Sequence, residues 1–261
     1  MDLNLSGKHA VVCGSTQGIG KASAAELALL GASITLVSRE ESKLKAVLKE
    51  LPKPHGQKHD YLVADFNFPD QLESGLEKHF GKEVAHILVN NTGGPAPGNV
   101  LDAKPDEFNK AFVNHLICNQ ILALALVPGM KKAGYGRIIN IISTSVKVPL
   151  RGLGVSNTIR GAVANWAKTL SVEVAPFGIT VNNVLPGAAM TSRLELLIKN
   201  RAKKGGKTAD EVKREMIAEI PAGRICDPHE VAAAVAFLAT PAAAYINGIN
   251  VPVDGGRTGS L

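Results

Sequence analysis

The chain has 261 residues, of which 45% are hydrophobic, and its formal net charge is +6. This length suits one α/β domain with a large core, and a division into two small domains is not required. The sequence reaches a glycine loop almost at once without a signal-peptide pattern, and no apolar run approaches the roughly 20 residues of a membrane helix. We therefore predict a cytoplasmic protein with no membrane partner.

The cysteines and histidines give no sign of a disulfide framework or a metal site. Cys13, Cys118 and Cys226 are scattered and form no Cys-x-x-Cys pair, so we expect free thiols, with Cys13 and Cys118 buried in apolar runs. The seven histidines show no ligand spacing such as His-Glu-x-x-His. We expect no metal.

The basic excess is concentrated between Arg193 and Arg214. This segment holds eight lysine or arginine residues and three acids. A charge run of this kind is by default a solvated helix face. The alternative is a surface that attracts an anionic substrate or an acidic carrier. Aromatic residues make up 4% of the chain and none interleaves with this run, so we expect no nucleic-acid partner.

Short apolar runs rich in β-branched residues alternate with longer segments of helical spacing. The predicted order is strand HAVVCG, helix KASAAELALLG, strand SITLVS, helix ESKLKAVLKEL, strand DYLVAD, helix PDQLESGLEKHF, strand HILVNN, helix DEFNKAFVNHLICNQILALALVPGMKKAG, strand RIINIIS, helix NTIRGAVANWAKTLSVEVAPFG, and strands ITVNNVLPG and NVPVDGG. Gly31, Gly134 and Gly178 fit just past helix ends. Because the strands are almost continuously apolar, they read as parallel strands buried on both faces. The pattern predicts one α/β domain over residues 1–261, a Rossmann-type doubly wound parallel sheet with helices on both faces.

The first strand-to-helix turn, GSTQGIG, carries Gly14, Gly18 and Gly20. Glycines at such a turn let the backbone approach a pyrophosphate, and the helix that starts near Gly18 offers free N–H groups and a positive dipole end. The spacing differs from the commoner Gly-x-Gly-x-x-Gly, but its place after the first strand predicts a nucleotide site. The other predicted contacts in this turn are Ser15, Thr16 and Ile19.

The second predicted strand ends in Ser38 and Arg39. A site selective for NAD usually has an acid here for the ribose 2′-hydroxyl, whereas a hydroxyl and a guanidinium suit a 2′-phosphate. We therefore predict NADP(H) rather than NAD(H), the alternative being that Arg39 is an ordinary solvated residue at a helix entry. Asp65 and Phe66, after the third strand, are placed to meet the adenine end, although Asp65 also suits a helix N-cap.

Further motifs resemble those of the short-chain dehydrogenase/reductase family, over about Leu5 to Gly256. NNTGG at Asn90–Gly94 resembles the family's Asn-Asn-Ala-Gly motif, Asn114 matches its helix-borne asparagine, and Ser143 matches its catalytic serine. The resemblance implies a substrate lid at about residues 188–224 and is nearest to 3-oxoacyl-carrier-protein reductases. The cofactor contacts it implies are Asn91, Thr92, Gly93, Arg160, Pro186, Gly187 and Thr191.

The family's catalytic Tyr-x-x-x-Lys pair is replaced in this chain. Thirteen residues beyond Ser143 stands Ser156, and four further on stands Arg160, with the family pattern continuing in register. In the family the tyrosine protonates a carbonyl oxygen as hydride arrives, while the lysine binds the nicotinamide ribose and lowers the tyrosine pKa. An alkyl hydroxyl is a much weaker acid than a phenol of pKa near 10, whereas Arg160 keeps the positive charge and its hydrogen bonds.

Two functions follow from these replacements. The first is NADP-dependent reduction of a ketone, with a 3-oxoacyl thioester as one candidate. In this arrangement Ser143 and Ser156 polarise the carbonyl. Arg160 then stabilises the alkoxide, and water relays a proton through Asn114. The second is a catalytically impaired, NADP-binding sensor or scaffold.

The sequence leaves open which group supplies the positive charge that stabilises the alkoxide and which group supplies the proton. Lys147 or Arg151, on the loop after the fifth strand, are alternative sources of charge, and a substrate with its own acid is a third arrangement. The expected partner is a small carbonyl or alcohol compound, anionic or carrier-linked if the basic segment binds it. Long apolar helices predict a homodimer or homotetramer.

Overall fold

The β-branched runs form one parallel sheet in the computed structural model, which describes residues 1–81 and 83–260. The strands lie in the order β3-β2-β1-β4-β5-β6-β7, so the direction of winding reverses between β1 and β4. A crevice opens at such a switch point beyond the carboxyl ends of the strands. The strands are β1 (His9–Cys13), β2 (Ser33–Ser38), β3 (Asp60–Val63), β4 (Ile87–Asn90), β5 (Gly136–Ile141), β6 (Ile179–Pro186) and β7 (Asn250–Val253).

Helices connect the strands and cover both faces of the sheet. A π-helical turn, Val113–Ile117, joins α4 to α5 without a break, and α7 and α8 follow one another after β6. The helices are α1 (Gly18–Leu29), α2 (Glu41–Glu50), α3 (Pro69–Phe80), α4 (Pro105–Phe112), α5 (Cys118–Ala133), α6 (Gly154–Val174), α7 (Ser192–Gly205), α8 (Ala209–Ala218) and α9 (Pro228–Ala239).

The core has two layers because successive strand residues point to opposite faces of the sheet. On β1, Ala10 and Val12 pack in the layer that includes α1, α2 and α9, whereas Val11 and Cys13 pack in the layer with α3, α5 and α6. All four are fully buried. Burial on both faces explains why the strand sequences do not alternate. The predicted doubly wound fold is confirmed.

The helical run Pro105–Ala133 corrects one expectation. It is long and apolar enough, by length and composition alone, to cross a membrane, and 44% of its most apolar window is buried. The expectation that no apolar run approaches that length was therefore wrong. Leu122, Leu126 and Met130 are at most 2% exposed, because α5 packs against the sheet, and this packing accounts for their apolar character.

Four asparagines form a hydrogen-bonded ladder across the sheet. Each lies opposite the next across β4, β5, β6 and β7. Asn90 donates to Asn140 (2.8 Å), Asn140 to Asn183 (2.9 Å), and Asn183 to Asn250 (2.8 Å), in each case from Nδ2 to Oδ1. This ladder gives each of its amide side chains at least one partner, although Oδ1 of Asn90 has none among the described residues, and it links the strand ends that carry the candidate site.

Candidate active site

A cleft of about 810 Å³ opens at the carboxyl ends of the strands, beside the switch point. Its walls come from the loops that follow β1, β2, β3, β4, β5 and β6, together with the start of α6. Motifs that are far apart in sequence therefore lie together around one cleft. The predicted site residues that line it are Gly14, Thr16, Gly18, Ile19, Ser38, Arg39, Asp65, Phe66, Asn91, Thr92, Gly93, Asn114, Ser143, Ser156, Arg160, Pro186, Gly187 and Thr191.

Two predicted cofactor contacts, Ser15 and Gly20, lie behind this wall. Ser15 is fully buried, and its hydroxyl donates to the carbonyl oxygen of Val37 at 3.4 Å. A Cβ added to Gly20 would lie 2.6 Å from Nδ2 of Asn91, so glycine permits α1 to pack against the loop after β4. The structure places both residues as supports of the turn, and a direct contact with the cofactor stays a prediction.

The glycine turn has the form that a dinucleotide pyrophosphate requires. Gly14 and Gly18 have φ of +59° and +54°, which other residues rarely adopt. A Cβ added to Gly18 would lie 3.0 Å from Cγ2 of Thr191. The residue before α1, Gln17, makes no side-chain cap hydrogen bond, so the first N–H groups of this helix are available to a phosphate.

The end of β2 presents basic side chains to the cleft. Ser38, Arg39 and Lys43 line it. Lys43 pairs with Glu40 at 2.8 Å, whereas Arg39 is exposed and forms no ion pair with any residue that the structure describes. The Arg39 guanidinium is therefore available to a 2′-phosphate, and the residues present fit NADP(H).

Asp65 belongs to a turn rather than to a helix terminus. Its Oδ1 accepts hydrogen bonds from the backbone N of Asn67 (3.0 Å) and from Asn67 Nδ2 (2.7 Å). The next helix, α3, begins only at Pro69 and is preceded by Phe68. The interpretation of Asp65 as a helix N-cap is therefore wrong, and its carboxylate faces the cleft beside the end of β3.

Ser156 and Arg160 lie one turn apart in α6, and both are buried. Because α6 begins at Gly154, Ser156 lies inside the first turn and is not an N-cap. Nη1 of Arg160 donates to the carbonyl oxygen of Ile141 at 2.8 Å. Burial, and then the like charge of Arg193, lower the Arg160 pKa to about 10, so the guanidinium stays protonated at neutral pH.

The π-helical turn packs against α6; Asn114 lines the cleft, whereas His115 is buried behind it. Asn114 Nδ2 donates to Asn67 Oδ1 at 3.3 Å, and its own buried Oδ1 has no hydrogen-bond partner among the described residues. Burial, followed by the charges of Arg160 and Arg193, lowers the pKa of His115 to about 2. His115 is therefore a neutral neighbour. Such π turns are frequent at functional sites.

No phenol takes the place of the missing tyrosine. The hydroxyl of Tyr61 donates to Glu41 (2.9 Å), and that of Tyr135 donates to the carbonyl oxygen of Ala239 (2.6 Å). Tyr245 is fully exposed. None of the three lines the cleft as far as the structure describes it.

Sequence reasoning missed the position of Arg193. It entered the sequence interpretation only as one charge of the basic segment, yet it lines the cleft together with Arg151, Arg201 and Arg257. Nη2 of Arg193 donates to the carbonyl oxygen of Pro95 at 3.0 Å. Its place two residues after Thr191 was the available signal.

A dinucleotide-binding turn at the switch point, with hydroxyl, amide and guanidinium groups at the other end of the cleft, defines a nicotinamide-dependent oxidoreductase. Comparisons with known proteins make this assignment specific. The chain belongs to the short-chain dehydrogenase/reductase family, and it is an NADP(H)-dependent oxidoreductase. The sequence predictions of family, enzyme class and cofactor are confirmed.

The matches extend over almost the whole chain. A family model described as enoyl-(acyl carrier protein) reductase matches residues 14–258. The 3-oxoacyl-acyl-carrier-protein reductase FabG of Vibrio cholerae is 34% identical over 257 residues, which cover 97% of this chain and 98% of the relative. The NADPH-dependent reductase BacG of Bacillus subtilis is 28% identical, covering 98% and 100%. The structure of L-sorbose reductase from Gluconobacter frateurii, complexed with NADPH and L-sorbose, matches with a TM-score of 0.93 and 31% identity over 100% of both chains.

Proposed function

We propose that this enzyme reduces a ketone with NADPH through a site in which serine and arginine replace the family's tyrosine and lysine. One observation carries the proposal: Ser143, Ser156 and Arg160 line the same cleft as the glycine turn that fits the cofactor. A 3-oxoacyl thioester is the first substrate to test, because the FabG relatives are named for that activity.

The chain's own groups supply polarisation and charge. NADPH, when bound, supplies the hydride for the carbonyl carbon. The hydroxyls of Ser143 and Ser156 donate hydrogen bonds to the carbonyl oxygen, which strengthen as negative charge develops there. Arg160 stabilises that charge and hydrogen-bonds the nicotinamide ribose. Because its guanidinium stays protonated at neutral pH, it does not deliver the proton.

Asn114 is the group that holds the proton source. Its buried Oδ1 lacks a partner among the described residues, and we assign it a hydrogen bond from a water molecule that relays a proton from the solvent to the alkoxide. Losing a tuned general acid slows such a reaction by about 10²–10⁴-fold, and we expect turnover slower than that of a tyrosine-bearing relative by an amount within this range. Arg151, which also lines the cleft, is the alternative source of charge.

Oxidation of NADPH, followed by absorbance across ketones, diketones and acyl thioesters, tests the proposal. The expected result is turnover with at least one ketone class, which Ser156→Ala or Arg160→Ala reduces. Turnover indistinguishable from background with every compound would contradict it.

A cofactor-holding sensor or scaffold is the second candidate, and the lack of any tyrosine in the described cleft favours it. It predicts NADPH binding without turnover, and the appearance of activity in the double variant Ser156→Tyr/Arg160→Lys. Loss of an existing activity in Ser156→Ala would exclude it, because a scaffold has no turnover to lose.

We further infer that residues 188–224 act as a lid on the single domain. Leu197 of α7 and Met216 of α8 line the cleft, while the lysines of α7 are exposed.

Leu124 on α5 and Val172 on α6 are 64% and 67% exposed, and this exposed apolar surface supports a homodimer or homotetramer. Light scattering tests this, and a monomer at micromolar concentration would contradict it. A cytoplasmic location stays a prediction.

A further inference from the structure

The two arginines at the nicotinamide end of the cleft, Arg160 and Arg193, have no acidic partner in the part of the chain that the structure describes. Among the described residues, no carboxylate forms an ion pair with Arg160 or Arg193. Arg160 is 8% exposed, and its Nε has no hydrogen-bond partner there. Their charges repel one another, since Arg193 lowers the pKa of Arg160. The buried Arg160 guanidinium, kept from water without a counter-charge, is unfavourable unless an anion binds nearby, whereas Arg193 is exposed at the cleft, where a ligand can reach it.

The acids that line the cleft are engaged elsewhere. Glu40 pairs with Lys43, and Glu219 pairs with Arg257. Asp65 lies beyond β3 and accepts hydrogen bonds from Asn67. His115, which is close enough for both arginines to affect its pKa, is neutral because burial lowers that pKa to about 2. The positive charge at this end is therefore not compensated from within the described chain.

Arg193 is held in a defined position. Nη2 donates to the carbonyl oxygen of Pro95 at 3.0 Å, which anchors one edge of the guanidinium. Its plane lies against Gly94, where an added Cβ would lie 2.6 Å from Nη2. Glycine therefore creates the space that the guanidinium occupies. Nη1 has no hydrogen-bond partner among the described residues, so this edge is available to a ligand at the cleft mouth.

We infer that Arg193, supported by the charge of Arg160, binds a carboxylate or phosphate group carried by the substrate near its reactive carbonyl. A guanidinium of this kind binds either anion through paired N–H donors. The inference rests on the proposed ketone reduction, and among ketones it favours keto acids or keto phosphates over 3-oxoacyl thioesters.

The cofactor is the other possible source of an anion at Arg193. The pyrophosphate already has a binding place at the N-terminus of α1, where Gly14 and Gly18 shape the turn. The two sources are separable, because a cofactor contact affects NADPH binding whereas a substrate contact affects discrimination between substrates.

Matched substrate pairs measure this discrimination: short keto acids against their carboxamides, and dihydroxyacetone phosphate against dihydroxyacetone. In at least one of these pairs, we expect kcat/KM of the wild type to be about 10- to 100-fold higher for the charged substrate than for its neutral counterpart. Arg193→Met should reduce that ratio by about the same factor. Lys199→Met, which removes one exposed charge from the same helix, is the matched control and should preserve the ratio.

Gly94→Ala is a second variant that keeps every charge. The added methyl group displaces the Arg193 guanidinium, so the preference for the charged substrate should fall as it does in Arg193→Met. Equal kcat/KM for charged and neutral substrates in the wild type would overturn the inference. So would an unchanged ratio in Arg193→Met, or weaker NADPH binding with the ratio preserved.

A binding assay keeps this test independent of turnover. Calorimetry on the NADP⁺ complex, with a short hydroxy acid or inorganic phosphate as the probe, should show binding that Arg193→Met weakens about tenfold or more. If the wild type oxidises no NADPH but binds an anion through Arg193, the proposed reduction fails and the anion site stands. If it reduces ketones but binds no anion, the reverse holds.

Discussion

Nη1 of Arg160 donates a hydrogen bond to the carbonyl oxygen of Ile141 at 2.8 Å and so ties α6 to the end of β5. Both catalytic candidates on α6 depend on this link, because Ser156 lies one turn earlier in the same helix. The link also shows why arginine differs from lysine here: one nitrogen is used for support, and the others remain for ligands.

Replacing Arg160 should separate stability from function. Arg160→Met removes a buried charge that lacks a described counter-ion, but it also breaks the hydrogen bond to Ile141, so we expect the two effects to offset and the unfolding free energy of the apo protein to change by less than about 1 kcal/mol. Turnover should fall by about 10²–10³-fold, since the alkoxide loses its charge partner. Arg160→Lys should recover part of the turnover. Denaturation and steady-state kinetics check both effects, and an Arg160→Met protein that is destabilised by more than about 2 kcal/mol, or that keeps full activity, would contradict them.

Arg39 should decide between the two nicotinamide cofactors. Arg39→Ala removes the guanidinium available to the 2′-phosphate, and we expect kcat/KM for NADPH to fall by about 10- to 100-fold with little change for NADH. Lys45→Ala is the control, because it removes a charge from α2, the helix that follows Arg39, where Lys45 pairs with Glu41 at 2.8 Å. An equal fall in kcat/KM for NADPH and NADH would show that Arg39 does not bind the 2′-phosphate.

The asparagine ladder should contribute strongly to stability. Asn140→Leu keeps the side-chain size but leaves Nδ2 of Asn90 and Oδ1 of Asn183 without partners inside the sheet. We expect a loss of about 2–4 kcal/mol of unfolding free energy, measured by urea denaturation. Asn165→Ala, at an exposed position of α6, should change it by less than about 0.5 kcal/mol. Equal stability of both variants would contradict this account of the ladder.

Acid should destabilise the protein through its buried histidines. The folded-state pKa of His115 is lowered to about 2, so the unfolded chain binds a proton below about pH 6.5 that the folded chain does not. The stabilisation is therefore complete above pH 6.5 and is lost as pH falls towards 2. Burial lowers the pKa values of His9 and His86 as well, and they act in the same direction.

The contribution of His115 is measurable by substitution. Between about pH 7.5 and 5.5 the wild type should lose about 1.4 kcal/mol through this side chain alone. Over the same pH interval, the unfolding free energy of His115→Gln should fall by about 1.4 kcal/mol less than that of the wild type. His55→Gln, at an exposed position, should retain the wild-type dependence. Parallel pH profiles for His115→Gln and wild type would contradict the assignment.

Local signals were sufficient to predict the sheet and the cofactor turn. The strand runs are apolar because both faces are buried, and Gly14, Gly18 and Gly20 mark the turn because close backbone approach excludes other residues there. The replacement of the catalytic pair was visible only through the family resemblance, in which the catalytic pair follows the serine by a fixed count that leads from Ser143 to Ser156 and Arg160. Each of these features depends on residues that lie close together in the sequence.

Long-range relationships could not be predicted in the same way. Arg193 and Gly94 are distant in sequence, and only the folded arrangement of α7 against the loop after β4 brings them together. The ladder from Asn90 to Asn250 depends on strand register, which composition does not specify. Ser15 illustrates the converse: its place in the motif predicted a contact, but packing turns its hydroxyl towards Val37.

The most direct test of the central claim, that serine and arginine sustain hydride transfer here, compares single-turnover NADPH oxidation by wild type and Ser156→Ala at saturating cofactor and ketone. The account predicts a rate lower by about 10- to 100-fold in Ser156→Ala, with the dissociation constant for NADPH changed by less than about twofold. Equal rates in the two proteins would contradict it.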